Sequence, residues 1–521
     1  MPTPTTASRG PRGPYLLYLL IGSLPFSDFL QTGIVAFSAA PVMGDIAASP
    51  EEYSSVATLY AVVAIAVIAV HRQLLDRLGW RRMVQGASLF FASGAVVCGL
   101  SQGLPLFALG RVLMALGCAS FLTAGRVLVN HIPLSPRRFT GIKFFASGLA
   151  WGGVAGPWLA AAALASHSWR LGFFALLLPA AIIFMLASLA LDNTPHDQAK
   201  PHLALPRSLL LLIGGSFTLL HVLQRSNYDF FNGARLLWAG ALLALIALAM
   251  FVWLSRRDAA APIAFRPLAQ RRYLVGLGMF ALCYLVLGAN NTMLPVLLQR
   301  ALGLPLEVIG RYMGIGALAG VASWIVVSRL MPKSPGPTRY YLAGFAALLA
   351  CGLRLSSISE AADPWRSVLP ALLCNGAFVI LALSTTAMQT FQTLQRDEVT
   401  FSHANQVKSM LGQFGVAAGT ALATLCLQWR SSLHYAHLTE SLSASNGALQ
   451  PSLALLTRWF AAAQDTARAP AMALAQLGLW VNQEATLMGA LDYFFAVALL
   501  AGFCMCMVAI EGLWRVRRPP R

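Results

Sequence analysis

Charge is what this sequence has least of. Of its 521 residues only 11% are Asp, Glu, Lys or Arg and 57% are hydrophobic, whereas soluble domains carry about 25% charged residues. A water-soluble chain of this composition would expose too much apolar surface to stay dispersed. A soluble globular protein is excluded, and lipid is the solvent. Acids are the scarcer sign, 19 beside 37 Lys and Arg, for a formal charge of +18. The basic residues form no stripe on an amphipathic domain. They sit in short breaks between long apolar runs, as juxtamembrane charge does, which sets nucleic acid aside as a partner.

Cysteine is also sparse. All eight, at positions 98, 118, 283, 351, 374, 426, 504 and 506, fall in apolar runs without metal-ligand spacing. That excludes a disulfide framework and a zinc site and leaves small side chains in helix packing. The nine histidines are dispersed, with no H-x-x-H pair inside a span. An integral-membrane acyl- or glycosyltransferase needs acids or histidines clustered at one interface, so no enzyme and no metal or organic cofactor is expected.

What is present is a series of apolar runs. With roughly 20 residues needed to cross a bilayer, the sequence predicts fourteen spans, near 15–41, 54–71, 83–101, 105–129, 139–165, 169–191, 207–224, 233–255, 272–298, 307–329, 339–356, 366–393, 402–428 and 487–513. The first follows Arg9 and Arg12 and is longer than the apolar core of a signal peptide, so it reads as a retained helix. The polar "QRSNYDFFNGAR" at 224–235 separates the seventh and eighth. An even count puts both termini on one side. About 25 Lys and Arg fall on that side and about 10 opposite, so the positive-inside rule makes the termini cytoplasmic. The polar segment 429–486 is then external, as a surface amphipathic helix or, in a Gram-negative host, a docking site for a periplasmic adaptor. The fold class is all-α integral membrane, with a six-helix bundle in 1–192, two extra helices in 193–271 and a second six-helix bundle in 272–521.

Three motifs lie in order along the first bundle. "RQLLDRLGWRR", 72–82, connects spans 2 and 3, with Gly79 to permit the turn and Asp76 placed to meet Arg77, Arg81 or a helix N-terminus. From physics alone it also reads as a positive-inside hairpin. Span 4 holds "LGRVLMALG", an embedded arginine followed by small residues. Span 5 holds "SGLAWGGVAGPWLAA", where Gly152 and Gly156 make a small-xxx-small face and Pro157 breaks the hydrogen-bond ladder. Asp76, Arg77, Gly79, Arg81 and Arg82 match the D-R-x-G-x-R-R core of the major facilitator superfamily. Arg72 stands where that family usually has glycine. Arg111 matches its helix 4 motif. Gly148, Gly152, Gly156 and Pro157 match the antiporter motif, whose closing glycine pair is here Ala160 and Ala161. The chain resembles the drug:H+ antiporters with fourteen helices. The resemblance implies a proton-driven multidrug exporter of the cell membrane, a conformational-switch loop at 76–82 and a pliable seal against proton leak at 148–157.

Ionisable groups inside a bilayer cost about 2.5–3.5 kcal/mol each on insertion scales, so few persist without a task or a partner. Asp28, in "SLPFSDFLQTGIVAFS", heads a polar stripe with Gln31, Thr32 and Ser38 that must face the bundle interior, with Gln31 and Thr32 candidates to line a substrate cavity. It is the candidate proton carrier, coupled to Arg111, which would pair with Asp28 or with substrate and release one as the other binds. The alternative is a permanent pair with Arg111 that locks two helices. Arg126 lies nearer the cytoplasmic end and is expected to snorkel. In the second bundle, Asn290 and Asn291 (span 9), Asn375 and Gln389 (span 12), and Asn405 and Gln413 (span 13) either line a substrate cavity or bond between helices. Substrates fitting such a site are lipophilic or amphiphilic small molecules. A dedicated metabolite or siderophore transporter of the same fold is the alternative.

Overall fold

The computed structural model describes residues 14–133, 135–192, 207–230, 233–258, 261–333, 336–360, 362–442, 449–463 and 468–517. The linker 193–206, parts of the external segment (443–448 and 464–467) and both terminal stretches, with Arg9 and Arg12, lie outside the described residues. The elements are α1 (Pro14–Asp45), α2 (Pro50–Leu100), α3 (Leu104–Cys118), α4 (Phe121–His131), α5 (Pro136–Ala165), α6 (Arg170–Ala175), α7 (Leu177–Ala190), α8 (Arg207–Asp229) and α9 (Ala234–Arg257). They continue as α10 (Arg271–Val296), α11 (Leu306–Leu330), α12 (Pro337–Leu355), α13 (Leu369–Phe391), α14 (Glu398–Ser441), α15 (Leu449–Ala463) and α16 (Ala469–Arg517). No strand occurs among the described residues. Helix starts follow local chemistry. Ser49 caps α2 in a reciprocal box with Glu52, its Oγ accepting from Glu52 N at 3.2 Å while Glu52 Oε2 accepts from Ser49 N at 2.9 Å.

Among the described residues twelve helices are long and apolar enough to cross a membrane, fewer than the fourteen spans expected. The difference arises in two places. α2 carries two expected spans in one run of 51 residues, broken at Gly79, whose φ of 71° and ψ of 165° are not helical. A residue with a Cβ would strain there. α12, nineteen residues with Arg339 and Arg354 near its ends, is not among the twelve. The polar stretch at 224–235 does not end its helix early either, since α8 continues to Asp229.

In hydrocarbon, close packing rather than the hydrophobic effect brings helices together, and small residues allow it. α5 meets α1 this way. A Cβ on Gly148 would stand 2.0 Å from the Gly22 carbonyl oxygen, one on Gly152 2.5 Å from that of Phe26, and one on Gly156 2.9 Å from Gly33 Cα. The second bundle repeats the device where α14 meets α10, with a Gly419 Cβ at 2.0 Å from the Leu285 oxygen. On its other side α5 packs on α11, where a Gly310 Cβ would lie 2.7 Å from the Pro157 oxygen and Trp158 Nε1 donates to Arg311 O at 3.2 Å. The antiporter-type stripe is therefore filled by α1 backbone, with Pro157 at the contact between the bundles.

The extra helices are unequal. α8 packs on α2 and α14, one from each bundle. Arg225 on α8 pairs with Glu51, and Gln428 of α14 donates to Asn227 O at 2.7 Å. α9 packs on α8 and turns outward Leu236 (81% exposed) and Trp238 (69%). An apolar face of that kind suits acyl chains.

Candidate functional site

The buried polar groups form two levels, one within the first bundle and one between the bundles. At the first, Asp28, Gln31 and Thr32 share one face of α1, as i, i+3, i+4 spacing requires. Asp28 is half-buried, and its Oδ1 accepts from the Cys118 thiol at 3.2 Å. Thr32 Oγ1 donates back to the Asp28 carbonyl at 2.8 Å. Gln31 is buried. It donates to the Tyr60 hydroxyl at 2.9 Å and accepts from Arg111 Nη1 at 3.1 Å. Arg111 also lies on the Tyr60 ring, Cζ 4.1 Å from the centroid. No ion pair joins Asp28 to Arg111. The helix lock considered from sequence is absent, and Gln31 and Tyr60 stand between them.

The second level lies toward the Gly79 end and joins the bundles directly. Gln406 of α14 donates to the Ile68 and Ala69 carbonyls of α2 at 2.8 and 3.0 Å. Asn405 donates to Thr123 O at 3.4 Å, and Thr123 Oγ1 bonds Ser409 Oγ at 3.3 Å. At the rim, Glu398 meets Arg72 at 3.3 Å and His131 at 3.5 Å. Arg72 also takes Asp76, at 3.0 Å. Asp76 was expected to meet Arg77, Arg81 or a helix terminus; its partner is instead the arginine four residues earlier, one helical turn away. The residue that replaces the family's usual glycine is thus the one that connects this loop to the other bundle. Arg77, Arg81 and Arg82 have no hydrogen bond or ion pair among the described residues, and Trp80 packs edge-on against His131 at 6.4 Å.

The remaining candidates separate clearly. Asn290 donates to Asn375 Oδ1 at 2.7 Å and accepts from the Tyr493 hydroxyl at 2.8 Å, a closed neutral network within the second bundle. Asn291 is exposed, and Gln413 is half-buried without a hydrogen bond among the described residues. Gln389 does not line an interior. Arg272 donates to its side chain at 2.7 Å and to its carbonyl at 3.0 Å, at the exposed end of α13. Arg126 does not snorkel: it is 8% exposed, with Cζ 5.9 Å from the Phe401 ring of the other bundle. Lys408, 7% exposed, has Nζ 5.9 Å from the Phe280 ring.

Sequence reasoning passed over Cys118, Tyr60, Thr123, Gln406 and Glu398 as site members. Cys118 carried a signal, since it follows Arg111 by seven residues and so returns to the same helix face. Tyr60 and Gln406 carried none. Among the described residues no cluster of His, Cys, Asp and Glu can hold a metal. A recess of about 500 Å³ lies apart from these groups, between α14 and α16, lined by Arg300, Gln428, Ser431 and Gln483 among others.

The profile of the Major Facilitator Superfamily matches residues 21–424. Over 405 residues the chain is 25% identical to the putative multidrug resistance protein MdtD of Klebsiella pneumoniae, covering 77% of this chain and 84% of that one. It is 21% identical over 443 residues to the probable multidrug resistance protein EmrY of Escherichia coli, covering 84% of each. The crystal structure of the human organic anion transporter MFSD10 (TETRAN) superposes with a TM-score of 0.54 at 14% identity, covering 94% of this chain and 98% of that one. That last likeness concerns the fold alone.

Proposed function

The chain belongs to the Major Facilitator Superfamily, and from that premise we propose that it is a proton-coupled exporter of lipophilic or amphiphilic small molecules in the cell membrane, with both termini cytoplasmic. The observation that carries this reading is Asp28. It is an acid deep in a membrane helix, partly buried, and hydrogen-bonded to a neutral thiol without forming an ion pair. A carboxylate with a permanent guanidinium partner would hold one state. One facing a weak donor can take a proton from one side and lose it on the other.

The surrounding geometry gives the proton a consequence. Asp28 and Gln31 lie one turn apart, and Gln31 ties α1 to Tyr60 on α2 and Arg111 on α3. Protonated Asp28 gains an O–H donor that can compete for the Gln31 side chain one turn away, so that Arg111 exchanges Gln31 for another acceptor. The bundles then rock about the α5–α11 contact, breaking the Glu398 rim. Transport of this kind needs no bound cofactor; the proton gradient supplies the energy.

The test is substrate export from proteoliposomes under an imposed pH gradient, with an internal pH dye following the protons. Asp28→Asn is expected to reduce gradient-driven export by about 100-fold while leaving facilitated exchange intact. Wild-type coupling in that variant would remove Asp28 from the mechanism.

A further inference from the structure

We propose that Arg126 and Lys408 together form the binding site for an anionic head group, so that the compound moved is an amphiphilic anion: a carboxylate, sulfonate or phosphate on an apolar body. The inference rests on the exporter reading for the direction of transport and narrows its substrate class.

Both side chains are more than nine-tenths buried. Neither makes a hydrogen bond or an ion pair among the described residues, and each faces an aromatic ring at 5.9 Å. They come from opposite bundles, Arg126 from α4 and Lys408 from α14. The Thr123–Ser409 bond at 3.3 Å, one turn from Arg126 and next to Lys408, sets the two helices in contact. The rings they face belong to one cluster, with Phe391 5.4 Å from Phe401 and 6.3 Å from Phe280. Lys408 lies within electrostatic reach of both Arg126 and Asp28, and Arg126 within reach of the buried Arg138.

Two buried cations so placed repel each other and lack the acceptors their N–H groups require. Among the described residues no acceptor lies within hydrogen-bond distance of either cation, and the nearby acids are engaged elsewhere. Glu398 is held by Arg72 and His131, Asp45 by Arg170, Glu51 by Arg225, and Asp492 by Arg430 and His434. Asp28 is the acid within electrostatic reach of Lys408, but the two form no ion pair, and Asp28 Oδ1 accepts instead from the Cys118 thiol at 3.2 Å. A guanidinium and an ammonium across a seam are matched by one anionic group with several oxygens. The phenylalanine cluster beside them gives the apolar body a wall. Because the two cations sit on different bundles, an anion bound between them would hold the Gly79 end closed.

Matched probes with one body and opposite charge test this: 1-pyrenebutyrate and a pyrenebutyl-trimethylammonium salt, measured by equilibrium binding to the purified full-length chain. The butyrate is expected to bind at least about tenfold more tightly than the cation. Lys408→Gln and Arg126→Gln should each weaken the butyrate about tenfold without affecting the cation, and Lys408→Arg should restore it. Equal or tighter binding of the cation to the wild type overturns the proposal, and that comparison needs no variant to fold. So does unchanged butyrate affinity in a monodisperse Lys408→Gln protein. Vesicle transport separates the two readings. Butyrate binding without pH-driven movement defeats the exporter reading but not the site; pH-driven movement of the cation in preference to the butyrate does the reverse.

Discussion

α1 and α10 hold corresponding places in the two bundles, and they differ in what they do with polarity. Each packs against the fifth span of its own half over a glycine. The Cβ that Gly148 or Gly419 lacks would stand 2.0 Å from a carbonyl oxygen of the partner helix in both cases. Yet α10 places Asn290 in a neutral network closed by Asn375 and Tyr493, while α1 places Asp28 against a thiol. Every hydrogen bond of the first network joins complementary neutral groups and has no reason to change during a cycle. The second leaves an ionisable group under-partnered, next to an arginine that touches no acid. Rigid packing is therefore shared, and under the proton-coupled reading proposed above it is the first half that supplies the acid able to respond to a proton.

The largest effects should come from breaking what the halves share. Gly148→Val and Gly419→Val each place methyl groups where no space exists, so the helices must separate by more than an ångström. Each variant is expected to lose folded protein, with monodisperse yield down by about tenfold or more. Normal yield from either would mean that its seam is looser than the packing described.

Exchanging the chemistry of the two positions sharpens the contrast. Asn290→Asp places a carboxylate in a buried neutral network with no cation beside it, and should destabilise the protein by about 3 kcal/mol, the insertion cost of a mid-bilayer acid. Asp28→Asn removes an acid that lacks an ion pair from a partly buried position and should leave the melting temperature unchanged or raised. Thermal unfolding of both proteins in one detergent reads the difference. A similar loss in both would erase the distinction between the halves.

The sequence shows the shared part of this comparison more plainly than the differing part. Apolar run lengths, loop charge and the glycine stripe at 148–156 depend on local spacing, and the helices follow them. The count of spans was less legible. The helix around Gly79 reads through a single non-helical residue, and Arg339 and Arg354 hold α12 below the hydropathy of its neighbours. Asp28 and Arg111 stood out because charge is rare in hydrocarbon. Gln31 stood out with Asp28 in the polar stripe, but its bonds to Tyr60 and Arg111 did not, since Tyr60 and Cys118 are ordinary in a helix and become part of a network only when three helices converge. Arg126 was misplaced for the same reason. Its distance from the helix end suggested the headgroups, but it is buried against the other bundle, beside Phe401, which lies 275 positions later in the chain.

A moderate effect is expected at the rim. Glu398 joins Arg72 and His131, and the carboxylate is 40% exposed, so solvent screening limits the cluster to about 1 kcal/mol. Glu398→Gln should shift the population open at the Gly79 end by about threefold to fivefold. Hydrogen–deuterium exchange in the first turn of α14 and around residues 68–72 measures it, and unchanged protection there would make the rim a bystander to closure.

The smallest expected effect lies in the closed network of the second bundle. Tyr493→Phe removes one donor from Asn290 Oδ1 and leaves the 2.7 Å bond between Asn290 and Asn375 in place. Interhelical hydrogen bonds in membrane proteins average about 0.6 kcal/mol, because the separated helices find other partners. The melting temperature should therefore drop by only about 1 or 2 °C, and proton-coupled export should proceed at the wild-type rate. Stability is the less informative of those two readings, since a small loss fits any buried tyrosine. The rate discriminates: if Tyr493→Phe slowed coupled export as Asp28→Asn is expected to, the second bundle would hold part of the proton-responsive machinery, and the assignment of that machinery to the first would have to be withdrawn.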